Sequence, residues 1–340
     1  MFLHQLPPET LIRIFYFIGS AFFRRDVRRL HVSRWWYQLA RPVFLEDLVF
    51  SAKTLEKFVQ SSETEGMVPS MRDHVRSVSI GFDGLDGWRL HPLRPGTPAA
   101  TSAPALSLYL VDEWTNELNS ILAAFANILG QFKKLESLRL EARKERHGPL
   151  AKLWRRDYLM AAPMASFLSV RDLTCLEIDA VGTHVLDRSE GSSGIHLCSD
   201  VNAMLPTLRR LRIRMKDICT QVISIPEDSP PLPLEDLIIN LSLIEPASPD
   251  TTFHYPKWCN PLPGSSFRQF KADMESRARE LVPALKNPRI VRIVSHTVPG
   301  RAIHSFDALT GRRMLLKSDE PWDADGEDLD GLTITEQDYF

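Results

Sequence analysis

The sequence has little of what enzymes and secreted proteins display. Only four cysteines, Cys175, Cys198, Cys219 and Cys259, are spread over 340 residues, and no two form a Cys-x-x-Cys pair. That excludes a dense disulfide framework and predicts reduced, mostly buried thiols. His196 near Cys198 and His254 near Cys259 come closest to ligand pairs. Structural zinc sites use paired close spacings that are missing here, so no metal and no cofactor is expected. There is no Gly-x-x-x-x-Gly-Lys-Ser/Thr loop, no Gly-x-Gly-x-x-Gly turn and no His-Glu-x-x-His helix. Gly191-Ser192-Ser193-Gly194 lacks the nucleophile-elbow spacing and reads as a turn. Asp323-Ala324-Asp325-Gly326-Glu327-Asp328 puts its glycine at the wrong place, with Ile334 where a calcium loop needs its closing Glu. No catalytic residue can be nominated, and a non-enzyme is expected.

Long hydrophobic runs are missing too. The longest, Ile14 to Phe23, is interrupted by Gly19 and Ser20 and falls short of the ~20 residues a membrane helix needs. Prolines and Glu9 precede it instead of a basic segment, so it does not read as a signal peptide. Asn240-Leu241-Ser242 fits a glycosylation sequon that would matter only after secretion. A cytoplasmic or nuclear protein without membrane contact is expected. The net charge is only −2, with 44% hydrophobic residues, ordinary for a folded chain. Its ends differ: arginines crowd the first fifty residues, whereas Asp319, Glu320, Asp323, Asp325, Glu327, Asp328, Asp330, Glu336 and Asp338 crowd the last stretch. The acidic run reads as a solvated tail over 319–340. The basic end has no nucleic-acid reading motif, so its charge is better suited to steering an acidic protein than to binding nucleic acid.

What is present begins at Leu6-Pro7-Pro8-Glu9. Prolines fit the approach and first turn of a helix, and Glu9 meets the positive end of its dipole. Leu11, Ile14, Phe15 and Ile18 then fall on one stripe, with Gly19 as the stop. Ile12 and Tyr16 lie off that stripe, so the helix is apolar on more than one side. Val27 and Leu30 predict a second short helix. Ser33 can cap a third, carrying Trp36, Leu39, Ala40 and Val43 until Pro42 disturbs it. So small a module cannot bury all of this by itself. It needs either a protein partner or its own downstream domain.

The wording Leu6-Pro7-Pro8-Glu9-Thr10-Leu11-Ile12-Arg13-Ile14-Phe15, followed by Leu30-His31-Val32-Ser33-Arg34-Trp35-Trp36, resembles an F-box. The matching positions are Leu6, Pro7, Glu9, Leu11, Ile14, Phe15, Leu30, Val32, Arg34 and Trp36. The link Gly19-Ser20-Ala21-Phe22-Phe23 is more aromatic than is usual in that family, and His31 stands where a small or apolar residue is common. The resemblance covers residues 1–50. It implies a three-helix module that docks on the acidic Skp adaptor of a cullin-RING ubiquitin ligase, while the rest of the chain holds a client. A non-catalytic scaffold that binds the adaptor and presents nothing is the alternative.

Downstream, apolar-x-x-apolar-x-apolar recurs as Val75-Val78-Ile80, Leu135-Leu138-Leu140, Leu173-Leu176-Ile178, Leu208-Leu211-Ile213, Leu234-Leu237-Ile239 and, loosely, Ile290-Ile293. Helical stretches over 118–132, 158–168 and 201–205 lead into strands, and another over 267–285 ends at Asn287-Pro288. Val43 to Ala52 reads as extended and Leu55 to Val59 as a short helix. Repeated helix-then-strand order predicts a parallel sheet with helices outside. The motif resembles that of leucine-rich repeats, implying an irregular α/β solenoid over 51–318. Its central spacings of about 38, 35 and 26 exceed or barely meet the roughly 20–29 of such repeats, which leaves an ordinary α/β domain as the other option. Glycine- and proline-rich composition marks 81–104 as a loop insertion, and Ile303 to Leu316 around Gly311 predicts a C-terminal hairpin that caps the sheet.

Overall fold

The computed structural model describes residues 6–84, 103–143, 157–170, 172–186, 196–225, 230–242, 267–296, 303–317 and 320–329. Helix α1 (Pro8–Ile18) has Pro7 as its N-cap and stops at Gly19. The aromatic link that follows is itself helical. Helix α2 (Ser20–Arg25) starts at once, and a 3-10 turn over Val27–Leu30 replaces the predicted second helix. Ser33 caps α3 (Arg34–Glu46), its Oγ accepting from the Trp36 amide at 3.1 Å. Contrary to expectation, α3 runs through Pro42 to Glu46, so the extended segment shrinks to β1 (Asp47–Ser51). An interior proline costs about 3 kcal/mol. Burial of Ala40, Val43 and Leu45 on either side of it works against that cost.

The remainder is a mixed α/β structure built on a large, mostly parallel sheet. Its strands are β1, β2 (Ser77–Phe82), β3 (Ser137–Ala142), β5 (Cys175–Ala180), β7 (Arg210–Met215), β8 (Asp236–Asn240), β9 (Ile290–His296), β10 (Ile303–Asp307), β11 (Arg313–Leu316) and β12 (Glu327–Asp328), in that order. Two short strands, β4 (Leu159–Met160) and β6 (Val185–Leu186), pair separately. Pairing is parallel from β1 through β9 and antiparallel thereafter.

The register explains the recurring motif. One row aligns Leu48, Val78, Leu138, Leu176, Leu211, Leu237 and Val291; the next aligns Phe50, Ile80, Leu140, Ile178, Ile213, Ile239 and Ile293. Side chains two apart share a sheet face, and in these rows all but the partly buried Leu48 are buried in one core.

That face is covered by helices. They are α4 (Ala52–Gln60), α5 (Ser62–Met71), α6 (Ala103–Leu129), α7 (Ala161–Leu168), α8 (Cys198–Met204) and α9 (Phe267–Leu281). Leu118, Leu122, Phe125 and Leu129 of α6, Met164 and Phe167 of α7, Val201 of α8, and Phe270 and Met274 of α9 fill the core against the strands. The predicted helix at 118–132 thus begins earlier, at Ala103, and the one at 158–168 gives its first residues to β4. Gly81 and Phe82 belong to β2, narrowing the predicted insertion; its central part, 85–102, lies outside the described residues.

At the C-terminal end, β10 and β11 form the predicted hairpin. Gly311 takes φ +77° and its amide donates to the Asp307 carbonyl at 2.8 Å. The acidic stretch departs from a solvated tail over 320–329. Asp323 pairs with Arg212 at 2.5 Å, Asp325 with Arg292 at 2.9 Å, and the Trp322 ring lies 4.9 Å from the Arg214 guanidinium. Burial opposes ionisation of Asp323, but the hydrogen bonds from Arg212 and its own backbone hold its carboxyl below the usual range. Gly326 sits at φ +61°, where a Cβ would fall 2.5 Å from the Leu315 carbonyl oxygen. The glycine therefore serves a close backbone approach of β12 to β11. Residues 330–340 lie outside the described part.

An ion pair between buried Glu275 and half-exposed Arg313 joins α9 to this hairpin. Arg313 donates to both carboxylate oxygens of Glu275, at 3.1 and 2.7 Å, while Lys271 stands 3.8 Å away. Burial pushes the Lys271 ammonium below its ordinary pKa, with Glu275 opposing. Arg313→Met is expected to cost roughly 1–2 kcal/mol, because buried Glu275 loses its bidentate partner while Lys271 remains nearby. The readout is the urea midpoint; an unchanged midpoint would show that the pair contributes nothing.

Candidate interaction surfaces

Phe15, Phe23, Leu30, Ala40 and Val43 form a small separate core among α1, α2, the 3-10 turn and α3. Phe15 packs edge-on against Phe23 and Trp36, with centroids 5.6 and 4.6 Å apart. The Trp36 indole N–H donates to the Arg29 carbonyl at 2.7 Å. Arg29 in turn donates to the Phe22 carbonyl at 2.7 Å and covers that ring. Ser20 and Arg24 hydrogen-bond to Asp47, tying α2 to the start of β1.

The ten positions singled out in the sequence divide into three groups. Leu11, Phe15 and Leu30 are buried, the last two in the module's small core. Leu6, Ile14 and Trp36 are half-buried, and Pro7, Glu9, Val32 and Arg34 are exposed. The most exposed apolar group, Phe17 at 95%, was not among the ten, and Tyr16, Ile18, Val27, Trp35 and Tyr37 are open as well. Nine large hydrophobics are exposed among the described residues, and seven of them lie between Tyr16 and Tyr37. Such concentration makes this stretch a candidate interaction surface. The advance signals were that Ile12 and Tyr16 fell off the main stripe of α1 and that so small a module could not bury all of its apolar side chains.

Charge around this surface is basic. Arg13, Arg25, Arg28 and Arg34 are exposed. Asp26 offsets part of it, accepting from the Arg28 side chain and amide at 3.1 Å, bonds that lower its carboxyl pKa. An acidic partner with apolar side chains complements this arrangement.

A second surface is the sheet face away from the helices. Its middle row reads Ser79, Arg139, Glu177, Arg212, Ile238 and Arg292 across six strands. Arg139 meets Glu177 at 3.4 Å, and Arg214 meets Asp179 at 2.5 Å. Residues 320–329 lie over the β7–β9 part through Arg212 and Arg292. Over β3 and β5 the charges face solvent more freely, Arg139 being half exposed.

Among the described residues Cys198 and Cys219 are buried and Cys175 is half-buried, in line with the expected buried thiols. Among the described residues, His196, Cys198 and Cys219 converge, whereas His254 and Cys259 lie outside them. Also among the described residues, no helix is long and apolar enough to cross a membrane. No family model matches the chain, and no curated protein matches it.

Proposed function

We propose that the chain is a substrate-recognition subunit of an SCF-type cullin-RING ubiquitin ligase, acting in the cytoplasm or nucleus. In this reading the N-terminal helices are an F-box that docks on the Skp adaptor. The helix-backed sheet is an irregular leucine-rich-repeat-like solenoid that holds a client protein. The observation that carries the reading is the crowding of exposed apolar side chains into Tyr16–Tyr37, within the same fifty residues whose wording resembles the F-box. The in-register apolar rows support the repeat interpretation. The charged face over β3 and β5 is the natural client surface, since its side chains are displayed on rigid strands. The chain supplies proximity, and bond making belongs to other subunits.

Isolation of the chain from cells with cullin activation blocked tests the proposal. Adaptor together with an accumulating client is the expected result. Adaptor alone would favour the scaffold alternative, and neither would end the F-box reading. A further expectation concerns handling: the chain made alone should self-associate through its exposed aromatics, and adaptor co-production should yield a monodisperse complex. A monomeric chain on size-exclusion chromatography, unchanged by adaptor, would count against it.

A further inference from the structure

We propose that His196, Cys198 and Cys219 form a zinc site that fastens the start of α8 to the segment following β7, an inference independent of the ligase reading. A ring nitrogen of His196 and the two sulfurs all lie within 4.8 Å of one another, and Nδ1 stands 4.0 Å from the Cys219 sulfur. Around a tetrahedral zinc, with Zn–S near 2.3 Å and Zn–N near 2.0–2.1 Å, donor atoms stand about 3.5–3.8 Å apart. Small side-chain adjustments bring the three donors to that spacing, and His196 is only half-buried and can supply them.

The chemistry of the set selects the ion. Two thiolates and a neutral imidazole suit a soft, tetrahedral divalent ion, and two thiolates cancel its charge in a site where both cysteines are buried. The Cys219 amide donates to the Cys198 sulfur at 3.3 Å, an outer-shell bond that favours the thiolate. Binding converts two thiols to thiolates and releases two protons, so the Cys198 contact to the Asp217 carbonyl at 3.9 Å loses its hydrogen. Buried thiols acting only as small apolar fillers have no need of an imidazole nitrogen turned toward them. Three protein ligands leave one tetrahedral position for solvent.

A site here has structural value. Helix α8 is only 7 residues long, too short to hold its shape without tertiary contacts. Cys198 is its first residue, and Cys219 immediately precedes the 3-10 turn Thr220–Ile223. A bridging ion would fix both ends of the connection around β7.

The test uses the untagged full chain, purified under reducing conditions and analysed for metal after gel filtration. A single zinc ion per chain is expected, and cobalt substitution should give sulfur-to-metal charge-transfer bands with the intense visible bands of a tetrahedral site. Cys198→Ser, Cys219→Ser and His196→Asn should each weaken zinc binding by at least the roughly 10–100-fold that loss of an outer-shell partner costs. Cys175→Ser, at a thiol outside the cluster, should leave binding unchanged. Circular dichroism accompanies each variant; should a cysteine variant misfold, His196→Asn at the half-buried edge still reads the site. A folded, reduced chain that holds no zinc and gives no cobalt bands would overturn the proposal, as would bands left undiminished by Cys219→Ser.

Discussion

Phe17→Asp is expected to weaken binding to a Skp adaptor by at least about 2 kcal/mol, roughly 30-fold, while leaving the thermal midpoint almost unchanged. Phe17 is exposed on α1 and contributes nothing to the module's interior, so its loss from a complex should register in affinity alone. Ile14 and Trp36 make a less clean test. Replacing both by alanine should abolish binding, but Trp36 packs on Phe15 and donates to the Arg29 carbonyl, so part of that loss would be unfolding. Isothermal titration of the Phe17 variant alongside its melting curve separates the two effects. Unchanged affinity would remove α1 from the interface.

Phe125→Ala is expected to cost about 3–5 kcal/mol, enough to threaten the whole fold. Phe125 of α6 is fully buried and its ring touches three others: Phe50 of β1 at 5.1 Å, Phe58 of α4 at 5.9 Å and Phe167 of α7 at 5.9 Å. Removing it opens a cavity where β1, α4, α6 and α7 meet, and β1 cannot close in without leaving its register with β2. Urea unfolding followed by far-ultraviolet circular dichroism reads the loss. A destabilisation below about 1 kcal/mol would mean that α6 does not pack across β1 as described.

The strands were legible because their signal is local. In Leu176-x-Ile178 or Leu211-x-Ile213 the period of two is complete within one strand, and parallel stacking merely repeats it. The hairpin at Gly311 was legible for the same reason. Helix α2 was missed because Ser20–Arg25 is too short to show a stripe. Pro42 misled because local propensity says nothing of Ala40 and Val43 being buried beside it. The acidic segment misled more deeply: Asp323 finds its arginine 111 residues earlier in the chain, and no window of sequence contains both. The same distance effect hid Cys219 from His196 and Cys198. For the N-terminal surface, sequence identified a module with too much apolar area but named several of its internal braces, such as Phe15 and Leu30, in place of the outward Phe17.

The sheet's last strand has a bearing on self-association. Parallel strands can accept new neighbours indefinitely, and a long free edge invites another chain to continue the ladder. Among the described residues the sheet ends at β12, only two residues long, and both of them, Glu327 and Asp328, are acidic. A second copy approaching there would find almost no ladder to extend and would bring like charge against like. At that edge the protein therefore carries its own guard against filament growth.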